Sequence, residues 1–203
     1  GLFASQCARA SEAVCGVRGA SSGSLVEALR AVRQLGLTTL GAGGTAQLLG
    51  ELGLEADSCG PAPPWPPGLE RSSQVRCLLR HSLLLTAEGV DGAPSAHRAL
   101  AEPGRLLQSG GDPDAGGDGL LLPVPLRFPR GRDAEMLAMM AVVAAARAAA
   151  SELGAASWKL RGDVRLRVSH TPCLSCVSAM VQFQSAFPDV RLRVSFDREW
   201  ASL

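Results

Sequence analysis

The chain has 203 residues, 46% of them hydrophobic, and carries 20 lysines and arginines against 19 aspartates and glutamates for a formal charge of +1. That is enough apolar material for one α/β domain with a sizeable core plus a helical segment, and it excludes disorder throughout. The near-neutral balance excludes an overall basic footprint, so any contact with nucleic acid must come from a local patch.

Lys159 is the single lysine among the basic residues. With the abundance of Ala and Gly, this reads as coding bias. The chain starts at Gly1, as a trimmed or processed product does, and no secretory apolar region follows. Residues 1–23 carry Ala, Ser and Arg with Glu12 as their one acid, a weak likeness to an organelle-targeting remnant. The plainer expectation is a poorly ordered terminus. Ser24 to Leu35 has Leu25, Val26, Leu29, Val32 and Leu35 at helical spacing with Gly36 as its stop, and Thr45 to Leu52 repeats the pattern before Gly53. Between them Gly41-Ala42-Gly43-Gly44-Thr45 lacks a following Gly-Lys-Ser/Thr, so a plain turn is expected and no phosphate loop.

Gly60 to Gly68 holds five prolines around Trp65, a stiff connector that divides an N-terminal helical segment (1–68) from the remaining domain (69–203). Gln74 to Ala87 is apolar enough for extended or hairpin structure, Ser95 to Gln108 for a short helix, and Gly110 to Gly119 for a mobile loop. His81 and His97 have no partner motif. Leu120 to Phe128 suits a strand that Pro123 and Pro125 confine to an edge or an irregular path. A long helix is expected from Asp133 to Leu153, with its Met residues as core. Arg147 and Glu152 interrupt that stretch, and no membrane span is expected.

Asp163-Val164-Arg165-Leu166-Arg167-Val168-Ser169 recurs unchanged as Asp189-Val190-Arg191-Leu192-Arg193-Val194-Ser195, 26 residues later. Each copy alternates apolar and Arg, the period of a strand with one buried face. The helical stretch between them, Cys173 to Phe187, makes the whole a βαβ unit with parallel strands. The four arginines fit a solvated sheet face or, with Arg127, Arg130 and Arg132, a nucleic-acid track.

Six cysteines are present, and Cys173 and Cys176 alone have a metal-like spacing. Reduced thiols and an intracellular protein are expected. The pair stands where the first repeat strand gives way to a helix, with Thr171 placed as N-cap and Pro172 at the first helical position. A lone Cys-x-x-Cys also suits a redox pair or half of a structural zinc site. Two thiolates do not close a zinc site, which takes three or four protein ligands.

Upstream, Asp133-Ala134-Glu135 opens the other long helix. An x-Ala-Glu run followed by Pro-Cys-x-x-Cys resembles the zinc-dependent nucleobase and nucleic-acid deaminase superfamily over roughly the last third of the chain. Asp133 stands where that superfamily usually has His, as in a divergent branch of microbial toxins and protists. The resemblance implies a cytidine-deaminase-like mixed sheet with helices on its faces, after an N-terminal helical segment. It also implies Zn2+ held by Asp133, Cys173 and Cys176, and Glu135 as proton shuttle. Ser169, His170 and Thr171 would contact the base, with His170 in the place of an aromatic residue that stacks on it; His170 as a zinc ligand in place of Asp133 stays open. The implied function is hydrolytic deamination of cytosine in a polynucleotide, DNA ahead of RNA, with no membrane partner. Adenine as substrate, and a catalytically inactive binding module of the same fold, stay open beside it.

Overall fold

The computed structural model describes residues 2–56, 65, 74–88, 95–110, 120–124, 126 and 130–197. Cys59, Arg127, most of the expected linker at 60–68 and the loop at 111–119 lie outside them.

The fold is mixed α/β. A five-stranded sheet runs in the order β1-β5-β4-β2-β3, from β1 (Glu55–Ala56), β2 (Arg76–Ala87), β3 (Ala96–Gln108), β4 (Trp158–Val168) and β5 (Val190–Phe196). β1, β5 and β4 are parallel, and β2 and β3 extend the sheet antiparallel. Two helices carry the centre of the core, α4 (Ala134–Glu152) against β2, β3 and β4, and α5 (Leu174–Ala186) against β5 and α4. Alternation explains the faces. Val164, Leu166 and Val168 of β4 and Leu79, Leu83 and Leu85 of β2 are buried, whereas Arg161 and Arg165 of β4 and Arg80 and Ser82 of β2 point the other way and are exposed. α4 is apolar and long enough to cross a membrane, but 67% of its most apolar window is buried inside the fold.

The expected βαβ unit is present as β4-α5-β5. Its two identical strand sequences do not pair copy on copy. They are offset by two residues, so Asp163 lies beside Arg191 and Arg165 beside Arg193. Pairing in register would put Asp beside Asp and Arg beside Arg twice, whereas the offset seats Asp163 3.4 Å from Arg191 Nε and 3.6 Å from Arg193 Nη2. An even offset also keeps every apolar residue on the core face.

Several expectations are overturned. Residues 2–15 form helix α1 (Leu2–Cys15) in place of an irregular terminus, because Cys7, Ala10 and Val14 recur at helical spacing and are buried. The glycine-rich stretch after Leu40 is the first turn of α3 (Gly41–Glu51), with Thr45 buried, and not a free turn. Residues 96–108 are strand β3 and not a short helix: pairing with β2 on both sides of a bulge at Pro103-Gly104 overrides the local helical preference of Ala, Leu and Glu. Pro103 is tolerated because β3 is an edge strand. Gln74 to Ala87 supplies one strand, not a hairpin within itself.

α1 packs on α5, α3 and α2 (Ser22–Gln34), and α2 on α5. The Thr38 carbonyl accepts from Leu174 N at 2.9 Å, and the Arg18 guanidinium donates to the Leu52 carbonyl. Residues 120–126 take no strand conformation in the described part; side chains of α5 satisfy their backbone instead. Gln182 both accepts from Leu122 N and donates to Leu122 O at 2.8 Å, and Ser175 Oγ accepts from Val124 N at 3.0 Å. This strap leads the chain to the start of α4.

Gly162 marks the closest backbone approach. Its φ is +129°, and a Cβ there would stand 2.3 Å from the Ser82 carbonyl oxygen. Gly162→Ala is expected to cost about 3 kcal/mol or more, read as a lowered urea midpoint with an unchanged slope.

Candidate metal centre

Asp133 and Cys173 are the N-cap residues of α4 and α5, both in extended backbone conformation. Thr171 is therefore not the cap expected; the helix starts two residues later, and the Cys173 sulfur itself accepts from Cys176 N at 3.4 Å. Asp is among the strongest N-cap formers, yet the Asp133 side chain makes no capping bond. Its carboxylate turns to the thiols, with Oδ2 3.5 Å from Cys173 Sγ and 3.3 Å from Cys176 Sγ; the two sulfurs are 3.5 Å apart. The positive ends of two helix dipoles thus meet over three groups that are anionic when deprotonated.

These three ligand atoms form the one metal-suited cluster among the described residues. A tetrahedral ion with thiolates at about 2.3 Å and a carboxylate oxygen at about 2.0 Å separates its ligands by roughly 3.8 Å (S to S) and 3.5 Å (S to O). The observed triangle of 3.5, 3.5 and 3.3 Å is that face slightly contracted. A buried Asp133, Cys173 and Cys176 group can hold a metal ion.

Burial raises the Asp133 carboxyl, opposed by the Arg130 guanidinium 3.6 Å away and by the two thiols. The Cys173 contact, and then burial, hold the Cys176 thiol well above its ordinary value. A metal would displace these protons, so affinity should fall with acidity. Glu135, in the first turn of α4, is 3% exposed and its carboxyl is pushed up to about 7, by burial first and then by the Asp133 charge, against hydrogen bonds from its own backbone N–H and the Cys176 thiol.

Ser169 and Thr171 are buried in the β4–α5 link and His170 is half-buried. Ser169 Oγ lies 2.9 Å from His170 Nδ1 and accepts from Arg76 N at 3.0 Å, so the link is pinned to the start of β2. His170 is not in the metal cluster; Asp133 is the group brought to the thiols. His81 and His97 stand apart in the sheet, His97 Nδ1 3.2 Å from Thr86 Oγ1.

Two residues near the centre had no motif to reveal them. Arg130 was legible only as one of several cations, and its ion pair with Asp133 depends on the bend before α4. Cys77, fully buried on β2, lies close enough to Glu135 for that negative charge, after burial, to hold its thiol up. In the sequence it is visible only as an apolar position in a strand.

Comparison with protein-family models, with curated proteins and with solved structures finds no match to the chain.

Purified chain dialysed against a thiophilic divalent metal is expected to retain about one ion per molecule, measured by elemental mass spectrometry. Asp133→Ala and Cys176→Ser should each lower that content severalfold, and Cys77→Ser should leave it unchanged.

Proposed function

We propose that the protein is a zinc-dependent hydrolase that deaminates cytosine to uracil in a polynucleotide, with DNA as the preferred substrate. The observation that carries this reading is the placement of a fully buried carboxylic side chain, Glu135, two residues from a metal-suited Asp-Cys-Cys triangle at the meeting of two helix N-termini. A redox dithiol needs no such carboxylates, and a structural zinc site usually takes four closed protein ligands. The order of the two motifs, Asp-Ala-Glu before Pro-Cys-x-x-Cys, supports the same reading.

Asp133, Cys173 and Cys176 would hold zinc, which supplies a Lewis acid able to deliver hydroxide from water near neutral pH. Glu135 accepts a proton from the attacking water and gives it to ring nitrogen N3 of cytosine. The water oxygen bonds to C4, the C4–N4 bond breaks, and Glu135 returns the second water-derived proton to the departing amine. Water and cytosine leave as uracil and ammonia. Arg130 keeps the Asp133 carboxylate oriented through its ion pair. His170, half-buried with its ring set by Ser169, offers an imidazole in the link that leads to Cys173, against which an extruded base can stack. Aromatic residues are 4% of the chain, which suits one flipped base better than a long stacking platform.

Zinc-loaded protein is expected to convert cytosine to uracil in single- or double-stranded DNA, measured by uracil excision and strand cleavage. Glu135→Ala should keep its zinc and lose about 10²- to 10⁴-fold in kcat. Uracil formed equally by both proteins would remove Glu135 from its role. No product from any DNA or RNA with zinc bound would replace the reading with adenine deamination or an inactive binding module. His170→Ala should retain the metal and lose about tenfold in kcat/KM, the size of one base-stacking contact.

A further inference from the structure

The sheet has a second face, opposite α4 and α5, whose side chains the metal centre does not use. Along β4 the outward positions are Lys159, Arg161, Asp163, Arg165 and Arg167, a column whose successive members stand about 6.6 Å apart. Across the strands, Arg80 of β2 pairs with Arg165, and Arg165 with Arg193 of β5, so three guanidinium-bearing positions stand side by side. Arg80, Arg161, Arg165 and Arg191 are exposed. Among the described residues, no carboxylate pairs with Arg80 or Arg165. Like charges on neighbouring strands destabilise a sheet.

At the end of the column nearest the metal centre the excess positive charge runs inward. Arg76 is 3% exposed and, among the described residues, has no hydrogen-bond partner at Nε or Nη1. Its guanidinium lies 5.2 Å from the Trp65 ring centroid, and that of Arg167 lies 4.7 Å from the same ring. Arg167 pairs with Asp197, which also accepts from the Trp65 indole at 2.5 Å, yet Arg167 Nε and Nη1 have no partner among the described residues. A buried cation with idle donors costs stability unless an anion comes to it. This face holds eight of the chain's 20 basic residues, against four acids among the described residues: Glu88, which pairs with Lys159, Asp163, which pairs with Arg191 and Arg193, Asp197, which pairs with Arg167, and Glu102 at the groove between Arg80 and Arg165. The molecule as a whole carries +1, so its charge is strongly asymmetric.

We propose that this face binds the phosphodiester backbone of a single nucleic-acid strand along β4, with Arg76 and Arg167 around Trp65 as its anchor. The outward side-chain step of a β-strand is close to the phosphate step of an extended strand, and Asp163, the acid within the column, is ion-paired to Arg191 and Arg193. β4 ends in the Ser169-His170 link, so a strand following the column is carried to the end of the sheet where α4 and α5 meet. The binding surface stands whether or not the metal centre deaminates.

The test is anisotropy of a fluorescent single-stranded oligonucleotide over a salt series. Arg80→Gln/Arg161→Gln/Arg165→Gln is compared with Arg9→Gln/Arg30→Gln/Arg33→Gln, which removes as many exposed cations from α1 and α2. The face variant is expected to bind about tenfold or more weakly, with its salt slope shallower by about 2, and the helix variant as the parent does. In the parent, oligonucleotide should shield Arg80, Arg161 and Arg165 from an arginine-specific dicarbonyl reagent, read by peptide mass spectrometry; this needs no variant to fold. Equal losses in both variants, no shielding, or binding to phosphatidylserine vesicles without competition from oligonucleotide would each overturn the proposal.

Discussion

Two helix N-termini that face each other set the terms for everything else at the metal centre. Each offers unsatisfied backbone donors and a partial positive charge, and each presents its N-cap side chain toward the other. Asp133 gives up its capping bond, and Cys173 bonds its own first turn through sulfur, so the cap positions become ligand positions. Moving either helix by one turn, about 5.4 Å, would separate atoms that now lie within 4.8 Å of one another.

The remaining architecture holds those two helices in place. α5 is fixed between β4 and β5 by a short parallel crossover, and from outside by α1 and α2. α4 is fixed from its apolar flank on β2, β3 and β4, and its start is held by the strap that Gln182 and Ser175 bind to α5. A bond from Gly110 N to Arg132 O, 3.0 Å, ties the end of β3 to the same point. The polar contacts therefore act on where the helices begin, while apolar burial decides that they form.

Much of this was legible in the residues. The repeat, read with period two, located β4, α5 and β5, and the Ala- and Met-rich run located α4, because strong periodicity over a long stretch outweighs local detail. The Asp133, Cys173 and Cys176 grouping came from motif order, and the structure brings those atoms together. What escaped was set by contacts distant in sequence. β3 carries helix-favouring residues and is a strand only because β2 lies beside it. Leu120 to Phe128 reads as an edge or irregular strand because it is apolar and holds Pro123 and Pro125; in its described residues the backbone partners are side chains of α5 and not another strand. The helix start at Leu174 was misplaced by two residues because Thr171-Pro172 carries a good local start signal that the converging thiols override.

The duplicated strand raises a question of identity: two segments with the same seven residues compete for two different slots in one sheet. Side-chain pattern cannot tell them apart, since both would bury the same valines and leucines. The residue just before each copy can. Only a glycine tolerates the crowding against Ser82 and Leu83 in the central slot, and the first copy is preceded by Gly162 while the second is preceded by Pro188. A single missing methyl thus acts as an address, sending one of two interchangeable strands to the middle of the sheet and leaving the other beside β1.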